Sequence, residues 1–360
     1  MIRDERGKFF HFSFLIFDFP FSIFNFFPTF APCDCSSSTL RTTSPSPVAT
    51  RTTRRQPLPV RWRRTSSASP FCGRNLTIPS SFPTLNFQLL PWGWSPLLVR
   101  QLQKAGVPAS LLPTNAQIEE HRQASSRQTG VQLLAALRQR LASEPLVIGE
   151  SAWCTTEEAV WAQHRRNGGS MLKAPWSGSG RGVHPVPSSP TDKDYAWVKR
   201  ILSRQGGIEI EPIYYNKVQD LALELWCEGG QVRDEGLSLF TTTAGGVYSG
   251  NLVASEEEKL RLLSEYIPLE LLTEVRRQLV DLLNESLRNG LLPSWYIGPL
   301  GIDMMIVKEG FHPLIELNLR MTMGWVALQL ARDLKPSEKR LFRIVQERGR
   351  YRYELTPYGS

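Results

Sequence analysis

The clearest alternation of apolar and polar positions lies near the C-terminal end, in two runs at residues 301–307 and 315–320. Read as strands, the second run points Glu316, Asn318 and Arg320 to one side and Ile315, Leu317 and Leu319 to the other, because side chains two apart share a face. The first run carries Asp303. Two carboxylates and an amide oxygen form a hard, oxygen-rich set of the kind Mg²⁺ accepts, and Arg320 adds a fork-shaped anion donor. The plainer reading of the same alternation is a strand with a solvated polar face.

Upstream patterns give the other elements. Ser95 and Pro96 read as N-cap and first residue of a short helix, which Gly106 ends. Thr114 or Asn115 caps a second helix. Val131, Leu133, Leu134, Leu137 and Leu141 form a helical stripe. Residues 146–149 are short and apolar and predict a strand. Thr155 with Glu158 predicts a capping box in front of a helix ending near Arg166, and Asn167, Gly168 and Gly169 break it. Strands are expected at 170–174, 207–213, 218–227 and 237–242, with a helix at 192–204 between the first two. Residues 255–289 predict one or two helices broken near Ile267–Pro268. A last helix at 323–332 and a basic, mostly polar tail at 336–360 close the chain. No internal repeat is visible.

Between the strand at 170–174 and the next element lies Pro175-Trp-Ser-Gly-Ser-Gly-Arg-Gly182. Glycines let backbone N–H groups close on phosphate oxygens, and Lys173 just before the loop offers a point charge, with Arg181 as a second. The loop lacks the Gly-Lys-Ser/Thr ending of a Walker A motif and the spacing of a dinucleotide fingerprint. A plain surface loop has the same composition. The third piece is Glu211-Pro212-Ile213. Pro212 cannot continue a central ladder, so backbone groups there are open to a ligand edge such as adenine; an ordinary edge strand is the alternative.

Composition changes the picture at the N-terminus. The net charge is +8, but 11 Lys/Arg and only 4 Asp/Glu lie in residues 1–80, which leaves 31 and 30 in the remainder. The basic character belongs to that segment, and the near-neutral body argues against a nucleic-acid partner. Residues 9–30 hold 11 phenylalanines interrupted by Asp18, Pro20, Asn25 and Pro28, which does not suit a membrane span. Residues 36–70 are rich in Ser, Thr, Pro and Arg and read as disorder. No folded domain is legible in residues 1–84. The segment reads as an export leader, a disordered extension, or the product of a mis-assigned start or frame in the gene, with the abrupt shift near Leu85 favouring the last. Only Cys154 and Cys227 lie in the body, which fits a reduced compartment. A cytoplasmic location is therefore expected, or an exported one if residues 1–35 are a leader.

Taken in order, Met171-Leu-Lys-Ala-Pro-Trp-Ser-Gly-Ser-Gly-Arg-Gly182, Glu209-Ile-Glu-Pro-Ile213, Gly298-Pro-Leu-Gly-Ile-Asp303 and Glu316-Leu-Asn318 resemble the ATP-grasp superfamily of carboxylate–amine ligases. The resemblance covers about residues 85–333. It implies an α+β fold in which two α+β subdomains grip ATP between antiparallel sheets. It further implies that Lys173 contacts the α- and β-phosphates and acts in catalysis. Ser177, Gly178, Ser179, Gly180, Arg181 and Gly182 would close over the triphosphate, and Glu211, Pro212 and Ile213 would line the adenine site. Asp303, Glu316 and Asn318 would hold one or two Mg²⁺ (or Mn²⁺), and Arg320 would steady the transferred phosphoryl group. The implied reaction activates a carboxylate as an acyl phosphate for attack by an amine or thiol, with small-molecule or peptide substrates and release of ADP.

The implied domain plan is 85–150 as a remnant of the region preceding the grasp, 151–335 as the ATP-grasp domain, and 336–360 as a tail. The chain departs from the family at its start, where the usual opening βαβ unit is missing. The competing reading is a catalytically silent ATP-binding module acting as sensor or partner protein. No covalent nucleophile is evident: Cys154, Cys227 and Ser177 lack a partner histidine at a recognisable spacing, and His164, His184 and His312 read as structural or solvated.

Overall fold

The computed structural model describes residues 89–177, 182–243, 247–334, 338–347 and 350–358, and ahead of these a two-residue antiparallel pairing of Ile2–Arg3 (β1) with Phe9–Phe10 (β2). The readings made above for residues 11–84 and for Gly178, Ser179, Gly180 and Arg181 lie outside the described residues.

Three helices come first: α1 (Pro96–Lys104), α2 (Asn115–Ala124) and α3 (Arg127–Arg140). Ser95 accepts from the Leu98 amide as N-cap of α1, and Thr114 forms a capping box with Gln117 on α2, which offsets amides that a helix start leaves unpaired. The α3 stripe is realised: Leu133, Leu134, Leu137 and Leu141 are buried, each contributing roughly 2 kcal/mol of apolar burial.

The small sheet has the order β3-β6-β4-β5, from β3 (Ala152–Cys154), β4 (Ser170–Lys173), β5 (Val183–Val186) and β6 (Ile208–Pro212), all antiparallel. Helices α4 (Glu157–Asn167) and α5 (Asp192–Gln205) back it. The alternation in residues 208–212 decides its faces. Ile208 and Ile210 pack with Leu172, Val160 and Val198 on the helix side, so Glu209 and Glu211 point away from the helices. The cap of α4 is Thr156 rather than Thr155. Gly168 ends that helix in a left-handed conformation, φ 69°, as a C-cap glycine does.

The large sheet has seven antiparallel strands in the order β11-β10-β7-β8-β9-β12-β13. They are β7 (Lys217–Glu228), β8 (Gln231–Thr242), β9 (Tyr248–Val253), β10 (Gly298–Val307), β11 (Gly310–Asn318), β12 (Arg340–Glu347) and β13 (Arg350–Pro357). The helical stretch is indeed broken, into α6 (Glu256–Leu263) and α7 (Leu269–Arg288). Leu221, Leu223 and Leu225 of β7 join Leu317 and Leu319, α7 and the α3 stripe in the main core. On the other face, α8 (Met323–Leu334) packs Trp325 against Trp226, Val253 and Phe342. The last stretch is no tail: β12 pairs with β9 and turns into β13, extending the sheet. Its apolar positions Phe342, Ile344 and Leu355 pack with Trp226 and Trp325, contacts that its arginines obscured.

Residues 146–149 are likewise not a strand. Val147 makes an isolated parallel bridge to Phe311 at the β11 edge, and the strand lies a few residues later at β3. The connector passes Gly149, φ 112°, whose added Cβ would meet the His312 ring at 2.8 Å. The Tyr214 hydroxyl accepts from the Glu150 amide at 2.9 Å and ties the outgoing connector to this incoming one.

Candidate functional site

Lys173 ends β4 on the polar side of the small sheet, directly opposite Glu209 and diagonal to Glu211 on β6, the spacing at which cross-strand side chains meet. Its ammonium lies 2.8 Å from Glu211 Oε1 and 3.4 Å from Glu209 Oε1. It also donates to the Ile315 carbonyl of β11 at 3.4 Å, so the lysine strand of one sheet touches the acidic strand of the other. Only 3% of Lys173 is exposed. Burial pulls its ammonium down, but Glu209 and Glu211 outweigh this and hold it above the ordinary lysine value. Burial pushes the Glu211 carboxyl up, against the pull of Lys173. Glu211 Oε2 has no hydrogen-bond partner among the described residues.

On the large sheet, Asp303 of β10 stands directly opposite Glu316 of β11, and Gly301 opposite Asn318. The next strand adds Glu224 opposite Gly301. All four polar side chains share a face, as the period-two rule requires. Asn318 Nδ2 donates to Asp303 Oδ2 at 3.1 Å, and Arg320 donates to Asn318 Oδ1 at 2.7 Å and to the Met321 carbonyl at 3.1 Å. Burial pushes the Asp303 carboxyl up, and the like charges of Glu316 and Glu224 add to it. Glu224 is fully buried; its Oε2 accepts from Thr322 Oγ1 at 2.7 Å, and burial pushes its carboxyl up to about 7. Thr322 in turn accepts from the Trp325 amide at the start of α8. Gly324 is required there, because a Cβ would overlap the Glu224 carboxylate and the Ser238 hydroxyl.

Sequence reasoning missed Arg127. It opens α3, yet its side chain is 6% exposed and reaches Glu316 Oε1 at 3.1 Å and Glu209 Oε2 at 3.7 Å. Its amide donates to the Pro175 carbonyl at 3.1 Å, and its Nε has no hydrogen-bond partner among the described residues. A cation at a helix N-terminus opposes the macrodipole; that misplaced charge after Ser126 was the available signal. Glu209 and Glu224 were the other omissions. Glu209 lay in a quoted motif but its pairing with Lys173 depends on strand register. Of the loop residues, Ser177 and Gly182 are described: Ala174 donates to the Gly182 carbonyl at 2.8 Å, and a Cβ on Gly182 would overlap Ser177. Pro212 ends β6 opposite Ser170, and Ile213 follows it out of the sheet.

A hard cation needs several oxygen donors gathered at one point. Among the described residues no three His, Cys, Asp or Glu side chains gather as a metal-binding group. What stands there is a carboxylate pair plus an amide. The Asp303–Glu316 pair fits Mg²⁺, since two carboxylates facing one another across the ladder offer hard oxygen donors of like charge. Asn318 fits less directly, because its oxygen is engaged by Arg320. Of the histidines, His164 meets Ser170, His184 pairs with Asp194 at 2.7 Å, and His312 is buried beside Tyr214. Cys154 and Cys227 are buried free thiols.

No protein-family profile matches the chain. No curated protein matches it in sequence. Among solved structures it is similar to biotin carboxylase from Campylobacter jejuni in complex with β,γ-ATP, at 16% identity over 61% of this chain and 50% of that one, TM-score 0.42. It is also similar to N5-carboxyaminoimidazole synthetase from Staphylococcus aureus complexed with ADP, at 11% identity over 61% and 56%, TM-score 0.39. A third is phosphoribosylamine–glycine ligase from Thermotoga maritima, at 11% identity over 69% and 75%, TM-score 0.43. The chain spans about half the length of the first two. No helix among the described residues is long and apolar enough to cross a membrane. The fold itself is α+β, with two helix-backed antiparallel sheets meeting at Lys173 and Ile315, as the motif resemblance to the ATP-grasp superfamily implies.

Proposed function

We propose that this chain is an ATP- and Mg²⁺-dependent ligase that joins a carboxylate to an amine or thiol and releases ADP. One observation carries the reading. The Lys173 ammonium touches β11 beside Glu316, although 142 positions separate the lysine from Ile315. That contact supports reading a phosphate half and a carboxylate half, each ambiguous alone, as one site.

In this reading the residues divide the work. Lys173, with Ser177, Gly178, Ser179, Gly180, Arg181 and Gly182, receives the triphosphate. Arg127 adds a second buried cation. Glu211, Pro212 and Ile213 receive the base; Glu211 Oε2, unpartnered among the described residues, is an acceptor for an exocyclic amine, and Arg127 Nε a donor for a phosphate oxygen. Asp303 and Glu316, with Asn318 once Arg320 releases it, would hold Mg²⁺, which neutralises phosphate charge. Arg320 steadies the transferred group. Phosphoryl transfer asks a protein chiefly for positioning and charge neutralisation, and this set supplies both without a covalent nucleophile. The substrate carboxylate oxygen takes the γ-phosphoryl group as the bond to ADP breaks. The amine or thiol then attacks the acyl carbon, loses its proton, and expels inorganic phosphate.

The deciding experiment measures ADP release by the full chain with Mg-ATP against a panel of carboxylates paired with amines or thiols. ADP formation that requires one carboxylate supports the ligase. ATP bound with no ADP formed across the panel makes the chain a binding module.

A further inference from the structure

The cations of the site are held by the residues proposed for its ligands. Arg127 spans Glu316 of the large sheet and Glu209 of the small one, while Lys173 spans Glu209, Glu211 and the Ile315 carbonyl. Arg127 is fixed from behind, at the first residue of α3, by the hydrogen bond its backbone amide donates to the Pro175 carbonyl, just before the glycine-rich segment. Its position defies the helix dipole, and its burial demands compensation from several carboxylates. A guanidinium that served only to fasten the sheets would be expected to use its donors fully. Arg127 instead keeps a buried Nε without a partner among the described residues, and its backbone amide holds Pro175, where the chain enters the segment expected to receive phosphate.

We propose that Arg127 is a built-in counter-cation at Glu316, so that divalent metal and nucleotide enter this site as a coupled pair. This inference rests on the nucleotide reading above. The same carboxylate cannot serve Arg127 and a metal ion at full strength. A metal arriving alone must displace a buried guanidinium and leave it with Glu209 only, and an incompletely paired buried charge is unfavourable. A phosphate group offers that guanidinium a bidentate anion in exchange, which releases Glu316 to the metal. By linkage, each ligand then raises affinity for the other by the same factor. The consequence is a site that resists loading by free metal.

The test is Mn²⁺ binding to the full chain, read by electron paramagnetic resonance without nucleotide and again with ADP. Wild type should bind Mn²⁺ alone weakly. Arg127→Gln should bind Mn²⁺ alone about tenfold more tightly, the factor for one charge-assisted contact, and should lose most of the enhancement by ADP. Glu209→Gln, an isosteric change, should act in the opposite direction, because Arg127 is then left to Glu316 alone. A folded Arg127→Gln protein with Mn²⁺ affinity at or below wild type overturns the proposal. If circular dichroism shows that this variant does not fold, Glu209→Gln decides: Mn²⁺ affinity at or above wild type overturns it. Mn²⁺ binding in no form, with or without ADP, overturns the metal reading and this inference together. ADP binding with Mn²⁺ affinity unchanged by Arg127→Gln overturns this inference only.

Discussion

Asp303 stands directly opposite Glu316 across the β10–β11 ladder, and no basic side chain is their cross-strand neighbour on β7, where Ala222 occupies the row. Two facing carboxylates repel one another, and such pairs destabilise a ladder unless a cation joins them. The nearest cations come from outside the ladder: Arg127 on Glu316, and Arg320 through Asn318.

The first prediction concerns this pair. The double substitution Asp303→Asn with Glu316→Gln should abolish the Mg²⁺ dependence of ATP binding. Isothermal titration with and without Mg²⁺ checks it. Mg²⁺-dependent binding that survives both changes would remove these residues from the metal assignment.

Lys173→Met should weaken ATP binding by about 10- to 100-fold, the range for one charged hydrogen bond. It also leaves Glu209 and Glu211 buried without their shared cation, so the melting temperature should fall. Thermal unfolding and nucleotide titration together separate the effects: Lys173→Arg restores the charge and should recover much of the stability, and less of the binding.

Glu224 predicts a pH dependence. Its folded value is about 7 against an ordinary 4.5, so the native protein holds a proton that the unfolded chain has released across that window. Stability therefore falls as pH rises from about 4.5 to 7, by roughly 3 kcal/mol in all from this group, and the loss is complete above pH 7. Glu224→Gln should flatten this part of the profile. Urea midpoints at pH 5 and pH 8 measure it; an unchanged slope in the variant would show that Glu224 is ionised throughout.

Gly149→Ala should destabilise the fold by about 2 kcal/mol or more, from a left-handed backbone and from contact with a buried ring. The Cβ would lie 2.8 Å from His312. His312→Ala relieves the contact but not the backbone strain, so the double variant should recover only part of the loss in a thermal melt.

Local order was legible because it is set by local chemistry. The alternation at 208–212 determined which side of β6 holds Glu209 and Glu211, since Ile208 and Ile210 had to be buried. The alternation at 315–320 likewise put Leu317 and Leu319 in the core and Glu316 and Asn318 on the site face. Capping residues Ser95 and Thr114 and the break at Pro268 set helix limits. The C-terminal hairpin was hidden because strand pairing with β9 is a long-range event, and a run containing Arg340, Arg343, Arg350 and Arg352 resembles a solvated tail.

The sequence alone determined the types of side chain available for phosphate and metal, and the faces from which they project, because period-two and period-3.6 patterns are properties of neighbouring residues. Only the tertiary structure decided that Lys173 meets β11, that Glu224 stands opposite Gly301, and that Arg127 joins Glu209 to Glu316. Those contacts depend on the packing of two sheets and a helix separated by up to 189 positions of chain, from Arg127 to Glu316. No local pattern encodes such a meeting; it follows from burying the apolar faces of those elements together.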